Sequence, residues 1–350
     1  MNHEIIKKKI ERNYGLELLR MLLCYWVVLF HCLLKPDYDF IRIIKRKMFH
    51  VPCFFFISFY FLFQVVIGKD IKRMILRLER LLIPYFIWPI CIWSFNNIGY
   101  CLFKKSRFGR FLPFIYLEKQ LIIGRIFLEQ FWFLFNLLFF TIAFFIMAFF
   151  FKKDNFLVLI QIIGIISYFF QYSQYNYIFF DNYSYCISHT IGHFVESFPI
   201  AATAFTLSEL NILNIISSLR NSRLIIMFYS FIAVFFIFKY DIFMDIKKYG
   251  NTYSYNGIDK NIFSFLSFIG FYLIPINICH SEKLKIFIKL ITNYTQGIYC
   301  IHLIVEYYLI RFLSVKHTVF GCTLIYICSY LISFLGAKLS RNTKIKYLFL

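Results

Sequence analysis

The chain has 350 residues, 60% of them hydrophobic and 23% aromatic but only 16% charged, a balance that excludes an ordinary soluble domain. Its net charge of +20 would suit nucleic acid, yet the basic residues fall in short clusters between apolar segments. That is the pattern of membrane flanks, so the expected surroundings are membrane lipid and not nucleic acid. Ten cysteines form no Cys-x-x-Cys pair and no zinc-like spacing, and read as small apolar packing residues. The expected fold is all-α: one integral membrane domain over 1–350, a polytopic transmembrane helix bundle of about ten spans with no appended soluble domain.

The first apolar stretch, 15–34, is long enough to cross a bilayer, yet it carries Glu17, Arg20 and His31. At roughly 100° per residue, the eleven steps from Arg20 to His31 return to nearly the same azimuth, about 16 Å further along the axis. Glu17, three residues before Arg20, joins the stripe. Charged or titratable groups in a membrane are costly and turn toward protein or water, so the stripe predicts a polar tunnel inside the bundle. The basic start, Lys7, Lys8, Lys9 and Arg12, resembles the head of a signal peptide. Glu17 and Arg20 interrupt the apolar run, however, and no Ala-x-Ala site follows, so the segment reads as an uncleaved span.

Further spans are predicted at 50–68, 81–103, 130–151, 155–172, 188–208, 222–239, 260–279, 290–313 and 318–337. An even number puts both termini on one side, and the balance of Lys and Arg tilts toward cytoplasmic termini. The connections 35–49 and 104–129, outside on that topology, are more basic than the rule expects and suit an anionic glycan or lipid headgroups. Residues 69–80, KDIKRMILRLER, form the densest cationic connection. There Lys72, Arg73, Arg77 and Arg80 recur at helical spacings. They either grip a phosphorylated ligand through charge-assisted forks or simply anchor the cytoplasmic flank.

Polar candidates in the remaining spans are few. Ser58 follows a Phe run and suits a cavity wall or a helix-packing contact. His189 and His193 lie one helical turn apart, but no third ligand accompanies them and no metal is expected. His193 and, three residues on, Glu196 are candidates for the cavity wall, and so is His302, whose alternative is a structural hydrogen bond. Glu306 and Arg311 fall near the end of their span, where snorkelling explains them. The chain has no Gly-rich phosphate loop, Gly-x-Ser-x-Gly elbow or metalloprotease helix.

Five segments together resemble the type-3 membrane acyltransferases, bacterial enzymes that O-acylate surface polysaccharides and related sugars. The first is Glu17, Arg20 and, after ten intervening residues, His31, similar to the family's acidic residue, Arg and His. The second is 50–58, HVPCFFFIS, similar to a Val-Pro-x-Phe-Phe-x-x-Ser-Gly stretch. The third is Arg73, Arg77 and Arg80 running into LLIPYFIW at 81–88, similar to an Arg-rich entry and Ile-Pro-Tyr start. Phe131, Trp132, Phe133 and Leu134 resemble a Trp-Phe-Leu, and GIYCIH at 297–302 resembles a late Ile-Tyr-x-x-His. The matches keep the family's order over residues 12 to 302. Departures are Met21 and Phe59 where Gly is usual, Glu17 where Asp is commoner, and the absence of Phe-x-x-Gly from 189–205.

The resemblance implies O-acylation in the bacterial inner membrane, which needs a thioester donor, a hydroxyl acceptor and a group to take the hydroxyl proton. Acyl-coenzyme A, by default acetyl-CoA, is the expected donor, and a glycan or lipid-linked glycan the acceptor. His31 then serves as general base, or as a nucleophile that carries the acyl group transiently. Arg20 neutralises donor phosphate or steadies the oxyanion, with Glu17 holding it. Lys72, Arg73, Arg77 and Arg80 would meet the coenzyme's phosphates. Two other functions compete: a transporter or flippase for an acyl group or glycan intermediate, and a glycan polymerase. The absence of an internal repeat and the presence of only 13 Gly weigh against the first, and the shortness of 104–129 against the second.

Overall fold

The computed structural model describes residues 13–33, 50–103, 110–123, 131–172, 185–210, 223–235, 257–274, 282–313 and 318–350. Among them the chain forms helices and no strands: α1 Tyr14–Cys32, α2 His50–Ile67, α3 Ile71–Phe103, α4 Phe114–Ile123, α5 Trp132–Phe150, α6 Lys153–Tyr172, α7 Tyr185–Glu209, α8 Arg223–Phe235, α9 Gly257–Tyr272, α10 Glu282–Thr292, α11 Thr295–Leu313 and α12 Val319–Leu339. A 3₁₀ turn, Lys344–Leu348, follows. Of these, α1, α2, α5 and α12 are long and apolar enough to cross a membrane. The all-α expectation agrees with this architecture.

Capping chemistry sets where α1 begins. The Asn13 side chain accepts from the Leu16 amide at 3.0 Å, satisfying one of the donors that a helix start leaves open. Its amide nitrogen donates to the Tyr272 carbonyl at 2.9 Å, tying this start to the end of α9. Gly15 makes the approach possible: a Cβ there would lie 1.8 Å from the Phe271 carbonyl oxygen. On the other side of α9, Arg223 of α8 donates to the carbonyls of Leu273 and Ile274 at 2.7 and 3.2 Å and closes the same helix end.

The packing has two hubs. α2 touches α1, α3, α5, α7 and α9, and α1 touches α2, α9, α10, α11 and α12. Around α2 the interior is almost wholly aromatic. Phe59, with no exposed surface, meets Phe140, Phe144 and Phe205 edge-on at centroid distances of 5.3, 6.0 and 6.3 Å, the geometry that ring quadrupoles prefer.

Three sequence boundaries are corrected. The cationic segment 69–80 is no connection; α3 runs unbroken from Ile71 to Phe103, 33 residues. Lys, Arg, Leu and Glu are good helix formers, and Asp70 caps the start by accepting from the Arg73 amide at 3.0 Å. At about 50 Å, α3 is longer than a hydrocarbon core. The expected span 290–313 is two helices broken at Asn293–Tyr294. At the break Thr292 and Thr295 hydroxyls donate to the carbonyls of Ile288 and Thr292 at 2.8 and 3.1 Å, the local competition that ends helices at Thr and Asn. Lastly, the connection 104–129 contains α4. It is held under α3 by Tyr85, whose hydroxyl donates to the Leu121 carbonyl at 2.7 Å, and by Trp93 and Asn97, which donate to the Leu112 carbonyl at 2.8 Å each.

Candidate active site

Arg20 and His31 both turn toward α11. At one end, Arg20 pairs with Glu17 at 3.3 Å and donates to the Thr295 hydroxyl at 3.1 Å. Thr295 in turn donates to the Thr292 carbonyl at 3.1 Å, so the break between α10 and α11 supplies an acceptor aimed at the guanidinium. Arg20 stays 33% exposed while Glu17 is 14% exposed. The cation therefore faces outward from the pair and keeps N–H donors available beyond those used on Glu17 and Thr295.

At the other end, the His31 and His302 rings stand 5.3 Å apart, tilted by 43°. His31 is half-buried and meets Phe30 edge-on at 5.1 Å. His302 has no exposed surface. Its Nδ1 lies 2.8 Å from the Tyr299 carbonyl and 3.2 Å from that of Ile298. Thr295 and His302 are seven residues apart on α11, two turns, so one face of α11 answers one face of α1.

Between the two ends the seam is not polar. Cys24 and Val27, which share the Arg20–His31 azimuth, are 1% and 2% exposed, and the Cys24 thiol lies 3.5 Å from the Thr295 carbonyl. The expected continuous polar stripe is thus interrupted: its two ends are polar, and the roughly 16 Å between them is packed and apolar.

The basic residues of α3 do not act as one group. Lys72 is exposed. Arg73 pairs with Asp70 at 3.2 Å. Arg80 lies over the Tyr347 ring at 5.8 Å, in the C-terminal turn, where Lys344 pairs with Glu79 of the same helix. That pairing raises the Lys344 ammonium above the usual lysine range, first through the hydrogen bond and then through the carboxylate charge. Arg77 alone turns into the bundle, half-buried, and donates to the Thr141 hydroxyl of α5 and the Ser58 carbonyl of α2 at 3.3 Å each. Both acceptors are neutral. The Gln296 amide donates to the Arg80 carbonyl at 2.6 Å, next in sequence to Thr295, so this part of α3 flanks the Arg20 end of the seam.

Of the other expected cavity residues, the side chains of Ser58 and Glu196 are described. Ser58 serves through its backbone carbonyl, as above. Glu196 is half-buried on α7, which packs on α2, α6 and α9. The side chain of His193 lies outside the described residues, as does that of His189. Among the described residues no group of three or more His, Cys, Asp or Glu is arranged to hold a metal ion. Thr295 is a residue that the sequence does not single out. Its signal is its spacing, seven residues before His302 on the face that meets α1.

Fold and seam together define a membrane helix bundle in which Arg20 and His31 of the first helix face Thr295 and His302 of a late one. A family model described as acyltransferase domain matches residues 13–338, from the Asn13 cap to the last turn of α12. The chain belongs to the type-3 acyltransferase family, and it is a membrane acyltransferase. No curated protein and no solved structure matches it significantly.

Proposed function

We propose that this acyltransferase is an O-acetyltransferase. It would move the acetyl group of acetyl-coenzyme A, or the acyl group of a related acyl-CoA, to a hydroxyl of a cell-surface polysaccharide or its lipid-linked precursor. It would work as a multi-pass protein of the bacterial inner membrane with cytoplasmic termini. The observation that carries this reading is the pairing, on one face of α1, of a guanidinium that bonds Thr295 of α11 and, three turns further along α1, an imidazole that meets His302 of α11.

The separation divides the labour. An arginine side chain held by Glu17 and Thr295 cannot also reach an oxyanion formed beside His31, about 16 Å away along the helix. This favours a role for Arg20 on donor phosphate, where a planar fork matches the anion, with Arg77 as the second cation of that end. Lys72, Arg73 and Arg80 would contribute field more than contact. The thioester would then lie toward His31.

At His31 the acceptor oxygen attacks the thioester carbonyl carbon while the imidazole takes the hydroxyl proton. The tetrahedral intermediate collapses, the C–S bond breaks, and the imidazolium returns the proton to the departing thiolate. In the alternative order the imidazole nitrogen attacks first and the hydroxyl then displaces it. Either route leaves ester and free thiol and returns His31 unchanged.

The test compares surface glycan, by mass spectrometry, from cells carrying the native protein and the His31→Ala variant. Loss of an acetyl-sized mass in the variant, at equal membrane abundance, is expected. An unchanged acetylation pattern removes His31 from the chemistry and overturns the reading.

A further inference from the structure

We infer that His302 is the positioning residue for His31: it fixes the tautomer of that imidazole and shares the proton it takes. The inference rests on the acyl-transfer reading above and adds to it a second imidazole that the reaction steps do not use.

The tautomer of His302 follows from its partners. A backbone carbonyl only accepts, so an Nδ1 that bonds the Tyr299 carbonyl at 2.8 Å and leans on that of Ile298 at 3.2 Å must carry the hydrogen. In the neutral ring Nε2 is then the lone-pair nitrogen. Anchoring Nδ1 to its own helix leaves Nε2 on the other edge of the ring, whose centroid stands 5.3 Å from that of His31. At that centroid separation two facing ring nitrogens come to about 3 Å when aligned. A modest rotation of either ring closes the bond, as apo catalytic contacts commonly require.

The consequence for His31 is specific. A neutral imidazole has one N–H and one lone pair. If its N–H is directed at His302 Nε2, the lone pair is on the other nitrogen, which then takes the hydroxyl proton. This is the job that a carboxylate does in a catalytic triad, here done by a neutral acceptor. The choice suits the location, because two neutral imidazoles add no charge to a membrane interior, whereas a carboxylate there would be costly. When His31 gains the hydroxyl proton, the pair holds one positive charge. The proton on the facing nitrogen can pass to His302 Nε2 and come back as the thiolate is protonated, so nothing is left over.

Two variants separate this from a packing role. His302→Ala removes the acceptor, and His302→Gln keeps one at similar reach through Oε1. With acetyl-CoA and a hydroxyl acceptor in vesicles, His302→Ala should lower kcat about 10²-fold with KM for acetyl-CoA within about twofold. His302→Gln should recover much of the loss. Equal losses in both variants at unchanged melting temperature, or native kcat in His302→Ala, would overturn the inference. A second readout needs no activity. In detergent-solubilised protein with ¹⁵N-labelled histidine, native His31 should show one dominant tautomer, and His302→Ala should turn it into a mixture. Unchanged His31 ring shifts overturn the inference even if the acetyl-transfer reading stands. Absence of acetyl transfer by the native protein, with a tautomer change still seen, overturns the transfer reading and keeps the pairing.

Discussion

Around α2, Phe59 meets Phe55, Phe140, Phe144 and Phe205, all with centroids between 5.3 and 6.3 Å. Along α1, Arg20 reaches α11 through one bond to Thr295, and His31 meets it through one ring, His302. The aromatic region spreads its energy over many weak contacts, each replaceable by its neighbours. The seam concentrates its chemistry in a few directed contacts, each without substitute. The first arrangement tolerates changes of sequence that keep volume; the second tolerates almost none. On the proposed function, stability and chemistry reside in different parts of one bundle and can be damaged separately.

The largest expected effect sharpens that contrast. Phe59→Ala should open a cavity costing about 3 kcal/mol, read as a lower melting temperature in detergent. Since lipid is itself apolar, this cost is one of lost packing more than of transfer from water. Surviving folded protein should still transfer acyl groups. His31→Ala should do the reverse, with activity falling to background at an unchanged melting temperature. If Phe59→Ala abolishes transfer in protein that remains folded, the aromatic region is part of the site and the division fails.

Legibility follows the same division. Glu17, Arg20 and His31 stood out because charge is rare within an apolar run, and their common azimuth is arithmetic. Thr295 did not, since threonine is ordinary in a span and only its register on α11 gives it meaning. The basic residues of α3 were misread as a connection because charge outweighed helix propensity in the reading, although KDIKRMILRLER is rich in helix formers. The apolar middle of the seam was hidden for a further reason. Cys24 and Val27 share the azimuth of the polar residues, and a stripe counted by its charges omits what lies between them.

A smaller effect is expected at Arg20. Arg20→Lys keeps the charge but loses the fork shared between Glu17 and Thr295. Charge-assisted hydrogen bonds of this kind are worth about 2 kcal/mol, so donor affinity should fall about 30-fold, measured by isothermal titration with acetyl-CoA. Thr295→Val removes a single neutral partner and should cost about fivefold, near 1 kcal/mol. A Lys variant with native affinity would reduce Arg20 to a membrane-anchoring charge and leave His31 as the only directed element of the seam.

The smallest effects test whether α3 belongs to the seam or to the membrane flank. Arg77 has two neutral acceptors and a half-buried head, so an anionic ligand would be its first charged partner beyond the helix. Arg77→Gln, which keeps polar reach without charge, should weaken acetyl-CoA binding about tenfold. Lys72 is exposed and screened within about 8 Å at physiological salt, and Arg73 already has Asp70, a half-exposed pair of little net worth. Lys72→Gln and Arg73→Gln should therefore shift affinity by no more than about twofold, and raising the salt should erase even that. Equal losses at all three positions, each abolished by salt, would mean that the helix acts as a diffuse cationic surface. Arg77 would then join the flank, and the donor end of the seam would contract to Arg20.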